Sequence, residues 1–183
     1  MNAREAEGLL SEAVPRGAGL WADLGAGEGT FTRALAHLLG TGSRIYAVDR
    51  DARAIATLER EAPVAGVAII PVVGDFTRDV ALPPTLQARF DGILLANALH
   101  FVSEPDVVLR RLVGWLRPGG LVVIVEYDRR RASRWVPYPI TPSQLAGVAT
   151  AAGLSAPAIT ATKASRYGGI IYVARSSTSV DPW

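Results

Sequence analysis

The chain has no cysteine, which rules out disulfides, a thiolate metal site and a cysteine nucleophile together. Lysine is almost missing as well: Lys163 stands alone, and the other eighteen of the nineteen basic residues are arginines. No apolar run reaches the roughly 18 residues that a membrane-crossing helix requires. The opening "MNAREAEGLLSEAV" spreads acids among its apolar positions, unlike a signal peptide. Charge of one dominant sign is lacking too. With 19 basic and 17 acidic residues the formal charge is +2, so the pI of 9.3 says little about a nucleic-acid partner. The expectations are a cytoplasmic protein, monomer or homodimer, with no membrane partner, no metal site, and neither repeats nor low-complexity linkers.

What is present suits a folded domain. Of 183 residues, 49% are hydrophobic and 20% charged, enough apolar surface for a sheet covered by helices. One domain over 1–183 is expected, with an N-terminal helix within 1–16 (amphipathic over 3–14, before Pro15) and a loose tail at 176–183. Five apolar runs follow the first helix: "GLWADLG" (19–25), "SRIYAVD" (43–49), "GVAIIPVVGD" (66–75), "FDGILLAN" (90–97) and "GLVVIVEYD" (120–128). Runs without polar alternation read as parallel strands buried on both faces. Helical patterns separate them at 29–39, 51–62 and 103–116, the last closed by "LRPGG". Only "FTRDVALPPTLQAR" (76–89) reads as loop, with at most one or two helical turns. Right-handed crossovers then give an open, doubly wound α/β sheet with helices on both faces. Past residue 140, "TPSQLAGVATAAGL" opens with a capping threonine and a proline at the first helical position. "PAITATKASR" and "GGIIYVARS" then read as an antiparallel hairpin.

The loop "DLGAGEG" (23–29) follows the first strand and opens a helix, the place where such sheets bind ligands. Gly25, Gly27 and Gly29 allow tight turning and close approach. The spacing is G-x-G-x-G, not the G-x-G-x-x-G of dinucleotide sites. Asp23 and Glu28 would repel a pyrophosphate, so the loop favours a cationic ligand. S-adenosylmethionine fits: it has a sulfonium, an ammonium and an adenosine, and no phosphate.

Over roughly residues 15–175 the chain resembles the class I S-adenosylmethionine-dependent methyltransferases. "DLGAGEG" is similar to their first motif, "YAVDRD" to the acid ending the second strand, "VVGDF" to the acid after the third, "FDGILLANALHF" to the fourth motif, and "LRPGGLVVIVE" to the approach to the fifth strand. The resemblance implies a seven-stranded, mostly parallel sheet whose seventh strand is antiparallel. It implies S-adenosylmethionine held by Asp23, Gly25, Ala26, Gly27, Asp49, Arg50, Gly74, Asp75, Phe76 and Asn97. Asp49 would accept the ribose hydroxyls, Asp75 the adenine amino group with Phe76 beside the ring, and Asp23 would orient the methionine end.

Each residue also has a plainer reading. Asp49 could be a helix cap, although Asp51 stands ready for that role. Asp75 could be a turn residue and Phe76 core. His100, in "NALHF" (97–101), is the candidate base for removing an acceptor proton, or it shapes the pocket without titrating; His37 reads as structural. "EYDRRRASRWVPYP" (126–139) either receives substrate through Tyr127, Arg129, Trp135 and Tyr138, or is a solvated loop. The loop at 129–140, the helix at 3–14 or a second subunit could close over the site. No Asn/Asp-Pro-Pro-aromatic run follows the fourth strand, against base methylation by that kind of site, and the lack of cysteine excludes the covalent route to pyrimidine carbon-5. A small-molecule oxygen, nitrogen or carbon acceptor is the expectation. RNA or protein acceptors, a non-catalytic binding module and a nicotinamide-dependent oxidoreductase are the alternatives.

Overall fold

The computed structural model describes residues 1–61, 64–78, 80, 82, 89–128, 131–165 and 168–179. The apolar runs become β1 (Leu20–Leu24), β2 (Arg44–Asp49), β3 (Ala68–Val73), β4 (Phe90–Ala96) and β5 (Leu116–Asp128), followed by β6 (Ala158–Ala164) and β7 (Ile170–Ser177). They form one sheet in the order β3-β2-β1-β4-β5-β7-β6. The first five are parallel, and β7 runs antiparallel to both neighbours. Strand order reverses between β1 and β4, which opens a crevice at their carboxyl ends.

Side chains alternate across the sheet, and each face is covered. Trp21, Ile45, Leu94, Val123 and Val173 pack against α1 (Ala3–Leu10) and α2 (Thr30–Leu39). Val48, Ile93, Leu95, Ile124 and Tyr172 face α4 (Pro105–Val113) and α5 (Pro142–Ala151). Between α2 and α4 in the chain, α3 (Ala52–Arg60) seats Leu58 on Ala26 and Ala47. The caps agree with the sequence: Asp51 accepts from the Arg53 N–H, and Thr141 with Gln144 forms a capping box ahead of Pro142.

Three expectations need correcting. The helix over 103–116 stops at Val113, and "LRPGG" belongs to β5 rather than to a helix end. Leu116 pairs with Phe90 while Leu121 pairs with Gly92, so residues 117–120 bulge out of the ladder. That bulge is where a strand tolerates Pro118, and Gly119 supplies a φ of +71°. The tail is held through residue 179: β7 reaches Ser177, the Thr178 N–H donates to the Gly120 carbonyl, and the Gly119 N–H donates to that of Ser179. Residues 180–183 lie outside the described residues. Finally, α1 does not close over the strand ends. It buries Ala6, Leu9 and Leu10 against the α2 face, and the Lys163 ammonium meets Glu5 at 3.4 Å.

Among the described residues no helix is long and apolar enough to cross a membrane.

Candidate functional site

The glycine loop is pinned to its neighbour by backbone. Gly25 and Ala26 N–H groups both donate to the Val48 carbonyl, at 2.8 and 3.0 Å. Gly25 has a φ of +79°, and a Cβ there would stand 2.6 Å from the Ala98 Cβ. Only glycine lets these strand ends approach so closely.

Asp49 ends β2 with its carboxylate already holding the site together: one oxygen accepts the Gly27 N–H and the other the Asp51 N–H, both at 2.8 Å. Each oxygen keeps a second lone pair for a ligand hydroxyl. Beyond β3, Asp75 accepts the backbone N–H and hydroxyl of Thr77 at 2.9 and 2.7 Å. Burial pushes the Asp75 carboxyl up, but the two Thr77 donors and the Arg50 and Arg78 charges outweigh it and hold the group below its ordinary value. Asn97 leaves β4 with a φ of +54°, a left-handed backbone outside glycine, and its Oδ1 is buried without a partner.

Gly25, Asp49, Arg50, Gly74, Asp75, Phe76 and Asn97 line one cavity of about 290 Å³ at the strand ends. Three of the expected cofactor residues are not part of that lining. Ala26 is buried against Leu58, Gly27 is tied to Asp49, and Asp23 is fully buried beneath the loop. One Asp23 oxygen accepts the Thr32 hydroxyl at 2.6 Å and the other has no partner. Burial pushes this carboxyl up to about 7, the Thr32 hydroxyl pulling down and the Asp49 charge pushing up further. Thr77, Ala98 and Phe101 also line the cavity; the last two belong to the "NALHF" run, and sequence reasoning did not mark Thr77. A hollow of about 330 Å³ elsewhere, against β3, is walled by Arg33 and Glu61, which pair with each other at 2.7 Å.

His100 lies in a single 3₁₀ turn (Leu99–Phe101) and is 2% exposed. Its Nδ1 stands 2.7 Å from Glu126 Oε2, and its backbone N–H donates to Oε1 at 3.1 Å. Glu126, fully buried at the end of β5, is the partner that sequence reasoning missed. His100 lines no described cavity. Phe101, 46% exposed, sets its ring 4.4 Å from the imidazole, and the Tyr138 N–H donates to the His100 carbonyl at 3.0 Å. Tyr127 comes within 6.0 Å of the same ring. Trp135 is 67% exposed under the Arg134 guanidinium, and Arg129 lies outside the described residues.

The cavity fits the donor expected from the sequence. Its fixed charges are two carboxylates and one arginine, which suits a cation better than a pyrophosphate, and the orphaned Asn97 oxygen calls for an N–H or O–H donor. The methyltransferase-domain family model matches residues 22–124, and the chain belongs to that family, whose methyl donor is S-adenosylmethionine. The fold is shared with a SAM-dependent methyltransferase from Aquifex aeolicus (17% identity, 94% of this chain and 89% of that one, TM-score 0.72). It is shared with magnesium protoporphyrin IX methyltransferase from Synechocystis PCC 6803, solved with bound SAM (14%, 97% and 79%, 0.69). It is shared also with the [4+2]-cyclase SpnF (18%, 97% and 82%, 0.72). No curated protein sequence matches the chain.

Proposed function

We propose that this methyltransferase acts on a small-molecule acceptor, with the donor in the strand-end cavity and His100, buried behind Phe101 of the cavity wall, as the base. The observation that carries this reading is the convergence of Gly25, Asp49, Asp75 and Asn97, from four strand ends, on one cavity. When bound, the donor supplies an electrophilic methyl on a sulfonium. The protein's part is to hold and align. In this reading Asp49 takes the ribose hydroxyls and Asp75 the adenine amino group, with Phe76 against the ring. Asn97 Oδ1 accepts a polar hydrogen of the methionine arm or the acceptor. Asp23 acts from below, through the loop backbone.

Glu126 holds the imidazole by Nδ1, which leaves Nε2 as the nitrogen that takes a proton. Phe101 is the side chain that turns aside to admit an acceptor. In-line displacement needs alignment above all, so the wall at 97–101 matters with or without proton removal.

Calorimetry with S-adenosylmethionine and with NAD tests the cavity: binding of the first alone is expected, and tight binding of NAD would sink the reading. A labelled-methyl screen against small molecules, RNA and protein extracts then finds the acceptor, and label entering only RNA or protein would refute the small-molecule assignment.

A further inference from the structure

The segment from Asn97 to Pro105 changes sides. Asn97, Ala98 and Phe101 face the strand-end cavity, whereas Val102, Ser103 and Pro105 wall a separate hollow of about 440 Å³. Tyr138, Ile140 and Val148 are among the residues that complete it. That volume is in the range of small-molecule sites. No residue lining it carries a formal charge, in contrast to Asp49, Arg50 and Asp75 next door. Its floor is fixed in advance: the Tyr138 N–H is bonded to the His100 carbonyl, and the buried Tyr172 hydroxyl donates to the Ile140 carbonyl at 2.8 Å. Tyr138 in its wall and Phe101 in the neighbouring cavity each leave about half of their surface in water, apolar contact area open to a ligand.

We propose that this hollow holds the body of the methyl acceptor, and that the acceptor is a neutral molecule with an apolar, ring-containing body and one ionisable hydroxyl directed at His100. The inference rests on the methyltransferase reading. A carboxylate or phosphate here would lose its water and meet no cation, and Glu104 and Asp106, which flank Pro105 in the chain, would repel it. The hydroxyl end belongs between hollow and cavity beside Phe101, behind which the buried His100–Glu126 pair lies. The acceptor oxygen forms the new bond to carbon as the carbon–sulfur bond breaks. The electron pair of that bond stays on sulfur, and the hydroxyl proton passes to Nε2 of His100.

Gly147 offers a way to fill the hollow without disturbing the fold. It lines the hollow from within α5, and nothing lies within 4 Å of where its Cβ would stand. The probe is 2-naphthol, titrated by calorimetry into protein saturated with S-adenosylhomocysteine, beside 6-hydroxy-2-naphthoate, which adds only a carboxylate. The neutral probe should bind at least about tenfold tighter than the anion. Gly147→Leu should weaken it by at least about tenfold while S-adenosylhomocysteine affinity stays within about twofold. Gly147→Arg should turn the preference toward the anion. With S-adenosylmethionine, 2-methoxynaphthalene should form. Equal affinity for the two probes, no binding of 2-naphthol, or a Gly147→Leu protein that binds it normally would overturn the hollow as acceptor site. Binding without the ether would overturn the hydroxyl assignment. Failure of S-adenosylhomocysteine itself to bind would overturn the donor site, and this inference with it.

Discussion

Asp23 carries an unusual load for one carboxyl group: fully buried, one oxygen on Thr32, the other with no partner. The folded protein holds this proton up to about 7, against an ordinary 3.8. Stability from this group is therefore full below pH 3.8 and declines as pH climbs to about 7, by on the order of 4 kcal/mol. Asp23→Asn, which mimics the protonated form, should raise Tm above pH 7 and change it little near pH 4, as thermal melts across that range would show. Asp49 has the opposite character, exposed to the cavity with spare lone pairs. Asp49→Ala should weaken S-adenosylmethionine binding by about 1–3 kcal/mol in calorimetry, since ligand hydroxyls lose their acceptor; unchanged affinity would remove Asp49 from the site. His100→Ala should lower turnover far more than donor affinity in steady-state assays, and a normal rate would make the imidazole structural. Glu126 was not legible in the sequence because a glutamate ending a strand has no signal of its own. Its meaning comes from a histidine 26 positions away that the fold returns to it.

Elements were far more legible. The strands through β5 announce themselves as unbroken apolar runs, and the hairpin of β6 and β7 by its short glycine turn, because burial on both faces leaves no room for polar alternation. "LRPGG" misled because proline followed by two glycines is also the punctuation of a helix end. Here it marks a bulge, a distinction that depends on the pairing of Phe90 with Leu116 rather than on any local preference. The loop between β1 and α2 separates its glycines by function. Gly25→Ala would drive a methyl onto Ala98 and strain a φ of +79°, so it should both destabilise the fold and abolish donor binding. A Cβ on Gly27 meets nothing within 4 Å, so Gly27→Ala should cost about 1 kcal/mol of backbone strain in urea melts. Equal effects from the two substitutions would mean that the close approach of Gly25 to Ala98 is unimportant.

On the scale of the molecule, the doubly wound sheet and the position of its crevice followed from the sequence, because strand order and crossover handedness are tightly constrained. Where α1 settles did not follow, since an amphipathic helix can cover any apolar face. It lies across α2 and the β6 edge, where Leu9 and Leu10 join the cluster of Trp21, Leu35 and Val173. Deleting residues 1–14 should therefore cost several kcal/mol, at about 1.5–3 kcal/mol per lost leucine, and lower Tm without shifting the donor affinity of whatever remains folded. One consequence concerns synthesis. Because β7 fills the slot between β5 and β6 and its Ile171 and Val173 join the cluster that α1 covers, a nascent chain that has emerged only as far as β5 offers a bare sheet edge and half a platform for its own first helix. A helix made before β1 must wait for a strand made after β5, so folding on the ribosome should be slow and late.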